Sequence, residues 1–188
     1  MSQPLLIIIT GHPATGKTVL GRHIAATLRL PYIYKDGIKE RLFDALGSGD
    51  RAWSHRLSLA TYPLLFYFIE ELLKAGYSLI AESNFPHDQG TREFLHLKQR
   101  YDFAPFQIHC VADGNVLLQR LKRRWEAGER HVGHQDPLLY DEIAPRLLAG
   151  PEPPLAIGGA LYELDTTDFS HVDYQRVMAA IREFSHGM

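Results

Sequence analysis

Apolar residues fall along this chain in two rhythms. Short unbroken runs at residues 5–10, 32–34, 78–82, 106–112 and 161–164 show little polar alternation. Runs of that kind suit strands covered on both faces, as in a parallel sheet. Between them, apolar positions recur every three or four residues. That spacing predicts helices over 17–28, from near Gly37 through Leu46, and about 89–100, 115–126, 137–148 and 172–184. A longer helix carries Trp53, Leu57, Thr61, Leu64, Leu65, Phe68 and Leu72 at helical spacing, and Gly76 fits its stop. Pro63 lies inside it and is expected to kink it or split it in two. Asp113 is placed to cap the helix after the fourth strand.

Five strands alternating with helices predict an α/β fold. Its parallel sheet would be wound on both faces by right-handed crossovers, giving three layers, α/β/α. Ligands in such sheets sit beyond the carboxyl ends of the strands. Polar clusters occur just there: residues 11–18 after the first strand, Asp36 after the second, Glu82-Ser83-Asn84 after the third and Asp165-Thr166-Thr167 after the fifth. A parallel sheet brings all four to one edge.

The first cluster carries the most specific chemistry. Gly11-His12-Pro13-Ala14-Thr15-Gly16-Lys17-Thr18 is a complete GxxxxGK[ST] phosphate-binding loop between an apolar strand and a helix beginning near Val19. Its glycines let backbone N–H groups and the positive helix end face a phosphate chain. Lys17 is placed for the β- and γ-phosphates, and the Thr18 hydroxyl for Mg²⁺. The nucleotide site is expected to span Gly11 to Val19, with ATP and Mg²⁺ as cofactors.

Phosphoryl transfer needs three further things: an acid for the metal, a group at the acceptor hydroxyl, and positive charge over the transferring group. Glu82, at the end of an apolar strand, can orient the Mg²⁺ shell, in part through water, in the manner of a Walker B acid. Asp36 can take a proton from an acceptor hydroxyl or hold Mg²⁺ through water; spacing alone equally allows it to cap the next helix. Asn84 can bind substrate or make a turn. Arg120, Arg123 and Arg124 share one helix face, and Gly128 and Gly133 flank Arg130 and His131. This segment, about 120–136, reads as a lid that brings arginines over the phosphates; the alternative is a solvated basic face. His131 and His134 lack the accompanying Cys or carboxylate set of a zinc site. Arg92, Lys98 and Arg100 fit an exposed helix face. Phe43, Trp53, Tyr62, Phe66 and Phe85 are candidates to line an acceptor pocket, while helical spacing makes most of them core residues.

Composition narrows the classes. The 188 residues suit one α/β domain, with 45% hydrophobic residues to build a core. A formal net charge of −2 argues against a generally basic nucleic-acid binder. The single cysteine, Cys110, lies in an apolar run and reads as a buried core thiol. The longest apolar stretch, interrupted by Pro63, falls far short of a membrane span. With no signal-like leader, a soluble cytoplasmic protein is expected, without a membrane partner.

The loop at 11–18, Asp36 after the second strand and the Arg120-to-His131 segment together resemble the P-loop kinase-like family. This is the AAA-type ATPase domain of the zeta-toxin, polynucleotide-kinase, chloramphenicol phosphotransferase and gluconate-kinase kind, and the resemblance spans about residues 4–168. It implies a P-loop NTPase fold and γ-phosphoryl transfer from ATP to a hydroxyl, with a small molecule as the leading acceptor. A nucleic-acid 5′-hydroxyl or a sugar nucleotide is the alternative acceptor. An ATP-binding switch that transfers little or no phosphate is the alternative of another class. By the resemblance Asp36 is the acceptor-activating aspartate. Lys39 stands where relatives often carry an acceptor-contacting arginine, a change that weakens bidentate contact and counts against a polynucleotide. Arg120 matches an adenine- or phosphate-contacting arginine, Arg124 or Arg130 a lid arginine, and Asp165-Thr166 the loop near the base.

Overall fold

The computed structural model describes residues 3–47, 49–128, 131, 134 and 136–187, with backbone alone at 136–139 and 141. Strands β1 (Leu5–Gly11), β2 (Tyr32–Tyr34), β3 (Leu79–Glu82), β4 (Ala104–Val111) and β5 (Ala160–Asp165) form one sheet in the order β2-β3-β1-β4-β5. Every pairing is parallel. The helices are α1 (Lys17–Leu28), α2 (Lys35–Leu46), α3 (Arg51–Lys74), α4 (His87–Arg100), α5 (Gly114–Glu126), α6 (Asp136–Leu148) and α7 (Tyr174–His186). The α/β class, the parallel sheet and its five strands stand as the hydrophobic pattern predicts.

Alternate side chains of β1 serve opposite layers, because successive strand residues face opposite ways. Leu6 and Ile8 pack with Leu65 and Ile69 of α3 and Phe94 of α4. Leu5, Ile7 and Ile9 pack with Leu20 and Ile24 of α1 and Val177 of α7. All five are at least nine-tenths buried, and each such side chain contributes roughly 1.5–3 kcal/mol of burial free energy. Burial on both faces is why β1 has no polar alternation. A third cluster joins Leu117 and Leu121 of α5 to Leu147 of α6, with Ala14 of the phosphate loop packed against it. Helices α5 and α6 are therefore seated on the loop itself.

Several local expectations change. Helix α2 starts at Lys35 after Tyr34, which offers no side-chain cap, so Asp36 lies inside the first turn and is not the cap. An acid there is favoured by the positive helix end. Pro63 does not split α3, which runs through it. Pro63 and Leu59 are both on the exposed face, so the carbonyl deprived of its usual Pro63 partner is on the solvent side. Gly76, at φ 78, ends α3 as expected: its N–H bonds Leu73 O and that of Tyr77 bonds Leu72 O, a Schellman closure. Asp113 caps α5 by accepting from the N–H groups of Asn115 and Val116. Helix α7 begins later than its apolar pattern suggests because Asp173 caps it, after a 3-10 turn at Phe169–His171. Among the described residues no helix is long and apolar enough to cross a membrane.

Candidate functional site

Register builds the site. Ile9 of β1 and Tyr34 of β2 both pair with Glu82 of β3, so β2 and β3 end level and β1 runs two residues further, to Gly11. The loops that leave these strands therefore share one edge of the sheet. The order β2-β3-β1-β4-β5 also places the chain's reversal beside β1, where such sheets bind ligands.

The phosphate loop closes on itself. Gly11 has φ 135, Ala14 φ 66 and Gly16 φ 83. The Thr15 hydroxyl donates to His12 O at 2.8 Å, and Lys17 Nζ donates to the same carbonyl at 2.7 Å. His12 Nε2 donates to Gly150 O at 2.9 Å, fastening the loop to the end of α6. Thr18 Oγ1 donates to Glu82 Oε1 at 3.3 Å, and the Tyr32 hydroxyl donates to Glu82 Oε2. Both oxygens of the Glu82 carboxylate are thus held. Burial pushes the Glu82 carboxyl above the usual carboxylate range, and the neighbouring Lys17 ammonium pulls it partly back.

A cleft of about 310 Å³ opens over this loop. Lys17, Thr18 and Glu82 line its floor, and Val19, Pro13, Ala14 and Gly16 its loop side. Arg120, Arg123 and Arg124 line it from α5, with Phe169 beyond them. Arg120 holds the far wall together: its guanidinium lies 3.6 Å from the Phe169 ring centroid and donates to Thr167 O at 2.9 Å. Asp36, Lys35, Ser83 and Asn84 complete the lining toward β2 and β3.

Four of these residues, Pro13, Lys35, Asp36 and Asn84, also line a second cavity of about 160 Å³. Lys39 lies in its wall, buried, with Nζ donating to Ser54 Oγ at 2.9 Å. The two cavities meet along Pro13, Lys35, Asp36 and Asn84.

The structure thus gathers Lys17, Thr18, Asp36, Glu82, Asn84, Arg120 and Arg124 around the cleft, with Lys39 just beyond. Arg130 lies outside the described residues, as do Glu129 and Gly133. Asp165 and Thr166 are not among the lining residues. Asp165 instead accepts from the Thr167 N–H, and Thr166 is buried with its hydroxyl on Val111 O. Phe169, three residues beyond Thr166, does line the cleft. His131 and His134 donate from Nε2 to Asp44 and Glu40 of α2, each at 3.0 Å, and so tie their own positions after α5 to α2. Cys110 is buried and its thiol is pushed up to about 12 by desolvation, which suits a core residue. Sequence reasoning missed Lys35, Tyr32 and Phe169. Lys35 directly precedes Asp36 and could have been found by that adjacency; nothing local marks Tyr32 or Phe169. Burial lowers the Lys35 pKa, and Asp36 partly restores it.

The fold and cleft define a P-loop kinase-like NTPase. Residues 6–136 match the family model described as AAA domain, and the chain belongs to that family. A candidate kinase from Chloroflexus aurantiacus j-10-fl, solved at 1.70 Å, is 41% identical with a TM-score of 0.88, covering 97% of this chain and 99% of its own. The APS kinase of Mycobacterium tuberculosis, in complex with AMPPNP and APS, shares the fold at 13% identity and TM-score 0.59, covering 98% of each chain. A gluconokinase from Sinorhizobium meliloti 1021 does so at 13% identity and TM-score 0.54, covering 98% of this chain and 94% of its own. No curated protein matches the sequence.

Proposed function

We propose that this chain is one kinase domain with a lid at about 120–136, moving the γ-phosphoryl of ATP to a hydroxyl of a small molecule. The observation that carries the reading is the junction of two cavities at Asp36, one over the phosphate loop and one beyond it. A switch that only binds ATP has no use for the second cavity.

Each chemical need is met by a named group. Loop N–H groups and the start of α1 hold the phosphate chain. Lys17, now donating to His12 O, is within its own side chain's reach of the β- and γ-oxygens. Thr18 and Glu82 supply hard oxygen donors 3.3 Å apart, which fits Mg²⁺. When bound there, the metal neutralises charge on the β- and γ-oxygens. Tyr32 keeps the Glu82 carboxylate turned toward Thr18. Asp36 accepts the acceptor's proton as its oxygen bonds to the γ-phosphorus and the bridge to ADP breaks. Arg124, with Arg120 and Arg123, offsets the charge that spreads over the transferring group.

Label transfer from γ-labelled ATP to hydroxyl compounds tests this. Lys17→Ala should abolish transfer. Asp36→Asn should lower kcat by roughly 10²–10⁴-fold, the usual worth of general-base catalysis, with the KM for ATP little changed. Undiminished turnover in Asp36→Asn refutes its role.

A further inference from the structure

We infer that the second cavity selects an acceptor that is itself an anion: a small ring compound bearing a hydroxyl and a carboxylate or phosphate. This rests on the phosphotransferase reading and adds the acceptor's chemical class.

Size comes first. At about 160 Å³ the cavity is smaller than the roughly 300–1,000 Å³ of drug-sized ligand sites. It suits a single small molecule rather than a polymer. Charge comes second. Lys35, Lys39 and Lys122 contribute to the lining, and Asp36 is the one carboxylate among the described lining residues. The described lining is cationic on balance, with three ammonium groups to one carboxylate. Among the described residues the Lys35 ammonium makes no hydrogen bond or ion pair, and it lies next to the point of transfer. Lys122 is only loosely held, its nearest carboxylate being Glu126 at 4.0 Å. A cationic wall favours a ligand that brings negative charge.

Shape comes third. Another side of the same cavity is apolar and aromatic, with Trp125 and Leu121 from α5 and Tyr140 and Ile143 from α6. Trp125 is 51% exposed and Tyr140 37% exposed. Large aromatics left half open at a cavity wall offer flat faces to a ring. The cations come mainly from α2 and the aromatics from α5 and α6, so a ring stacked on the aromatics would share the cavity with the lysines.

The test is label transfer from γ-labelled ATP to matched sets, each ring alcohol offered neutral, as a carboxylate and as a phosphate ester. One set is glucose, glucuronate and glucose 6-phosphate; another is cyclohexane-1,3-diol, 3-hydroxycyclohexanecarboxylate and the diol monophosphate. Label is expected in the anionic members, and the better arm tells carboxylate from phosphate. Lys39→Met should raise the acceptor KM tenfold or more, with the ATP KM within twofold. Lys122→Gln, on an exposed helix face, should raise it about threefold without risk to folding. Neutral members labelled as well as their anionic partners overturn the acceptor class and leave the kinase reading standing. So does labelling of an oligonucleotide 5′-hydroxyl with the anionic rings untouched. Label released to water alone overturns both.

Discussion

At the scale of single residues, the phosphate loop stores its specificity in backbone that ordinary side chains avoid. Gly11 has φ 135, and a Cβ there would stand 2.1 Å from Cys110 O, a contact no rotamer can relieve. Gly128 also has a positive φ, 62, but nothing lies within 4 Å of where its Cβ would be. The two glycines separate strain from collision. Gly128→Ala should cost about 1 kcal/mol for the left-handed backbone alone. Gly11→Ala should cost about 3 kcal/mol or more, because β1 or β4 must move as well. Urea unfolding measures both, and equal losses would show that the Cys110 contact yields easily. Ala14 carries φ 66 without being glycine. Its side chain packs against the α5–α6 cluster, which helps to hold that conformation in place.

At the scale of elements, α5 and the turn after β5 act as one wall of the cleft. Arg120 reaches from α5 to stack on Phe169 and bond Thr167 O, and Phe169 lies so close to Gly16 that a Cβ there would meet its ring at 2.8 Å. Arg120→Lys keeps the charge but loses the planar stack and fork. It should raise the KM for ATP roughly tenfold, equivalent to about 1.4 kcal/mol, with kcat nearly unchanged. Steady-state kinetics at saturating acceptor decides it; a fall in kcat alone would move Arg120 to the transferring phosphate instead. This wall was only partly legible in the sequence. The helix, its Asp113 cap and the shared face of Arg120, Arg123 and Arg124 obey local spacing rules. The Phe169 contact joins residues far apart in sequence, and only the β4–β5 pairing brings them together. Asp36 shows the same division: its place after β2 was readable, while its choice between cap and first turn depended on where α2 begins. The second cavity was least legible, because α2, α3, α5 and α6 each supply part of it.

At the scale of the whole molecule, two buried groups behind the phosphate loop make stability depend on pH in opposite senses. His109, on β4, is buried with Nδ1 lacking a hydrogen-bond partner among the described residues. Burial lowers its pKa below 6.5, helped by His12, while Glu163 and Glu152 pull the other way. Below pH 6.5 the unfolded chain therefore binds a proton that the native protein refuses. Stability is full above 6.5 and falls as pH drops toward the native value, by up to about 1.4 kcal/mol per pH unit. Glu82 has its pKa raised above 4.5 by burial, so its contribution is full below 4.5 and lost as pH rises through the raised value. Denaturation from pH 8 to pH 5 separates them. His109→Gln should reduce the loss of stability between pH 6.5 and 5. Glu82→Gln should be more stable than the parent at pH 8, where the buried charge costs most, yet slow in phosphoryl transfer. A Glu82→Gln protein that is less stable at pH 8 would mean that Thr18, Tyr32 and Lys17 already compensate the charge. The carboxylate would then be a structural tie between β3 and α1 rather than a strained group kept for the metal.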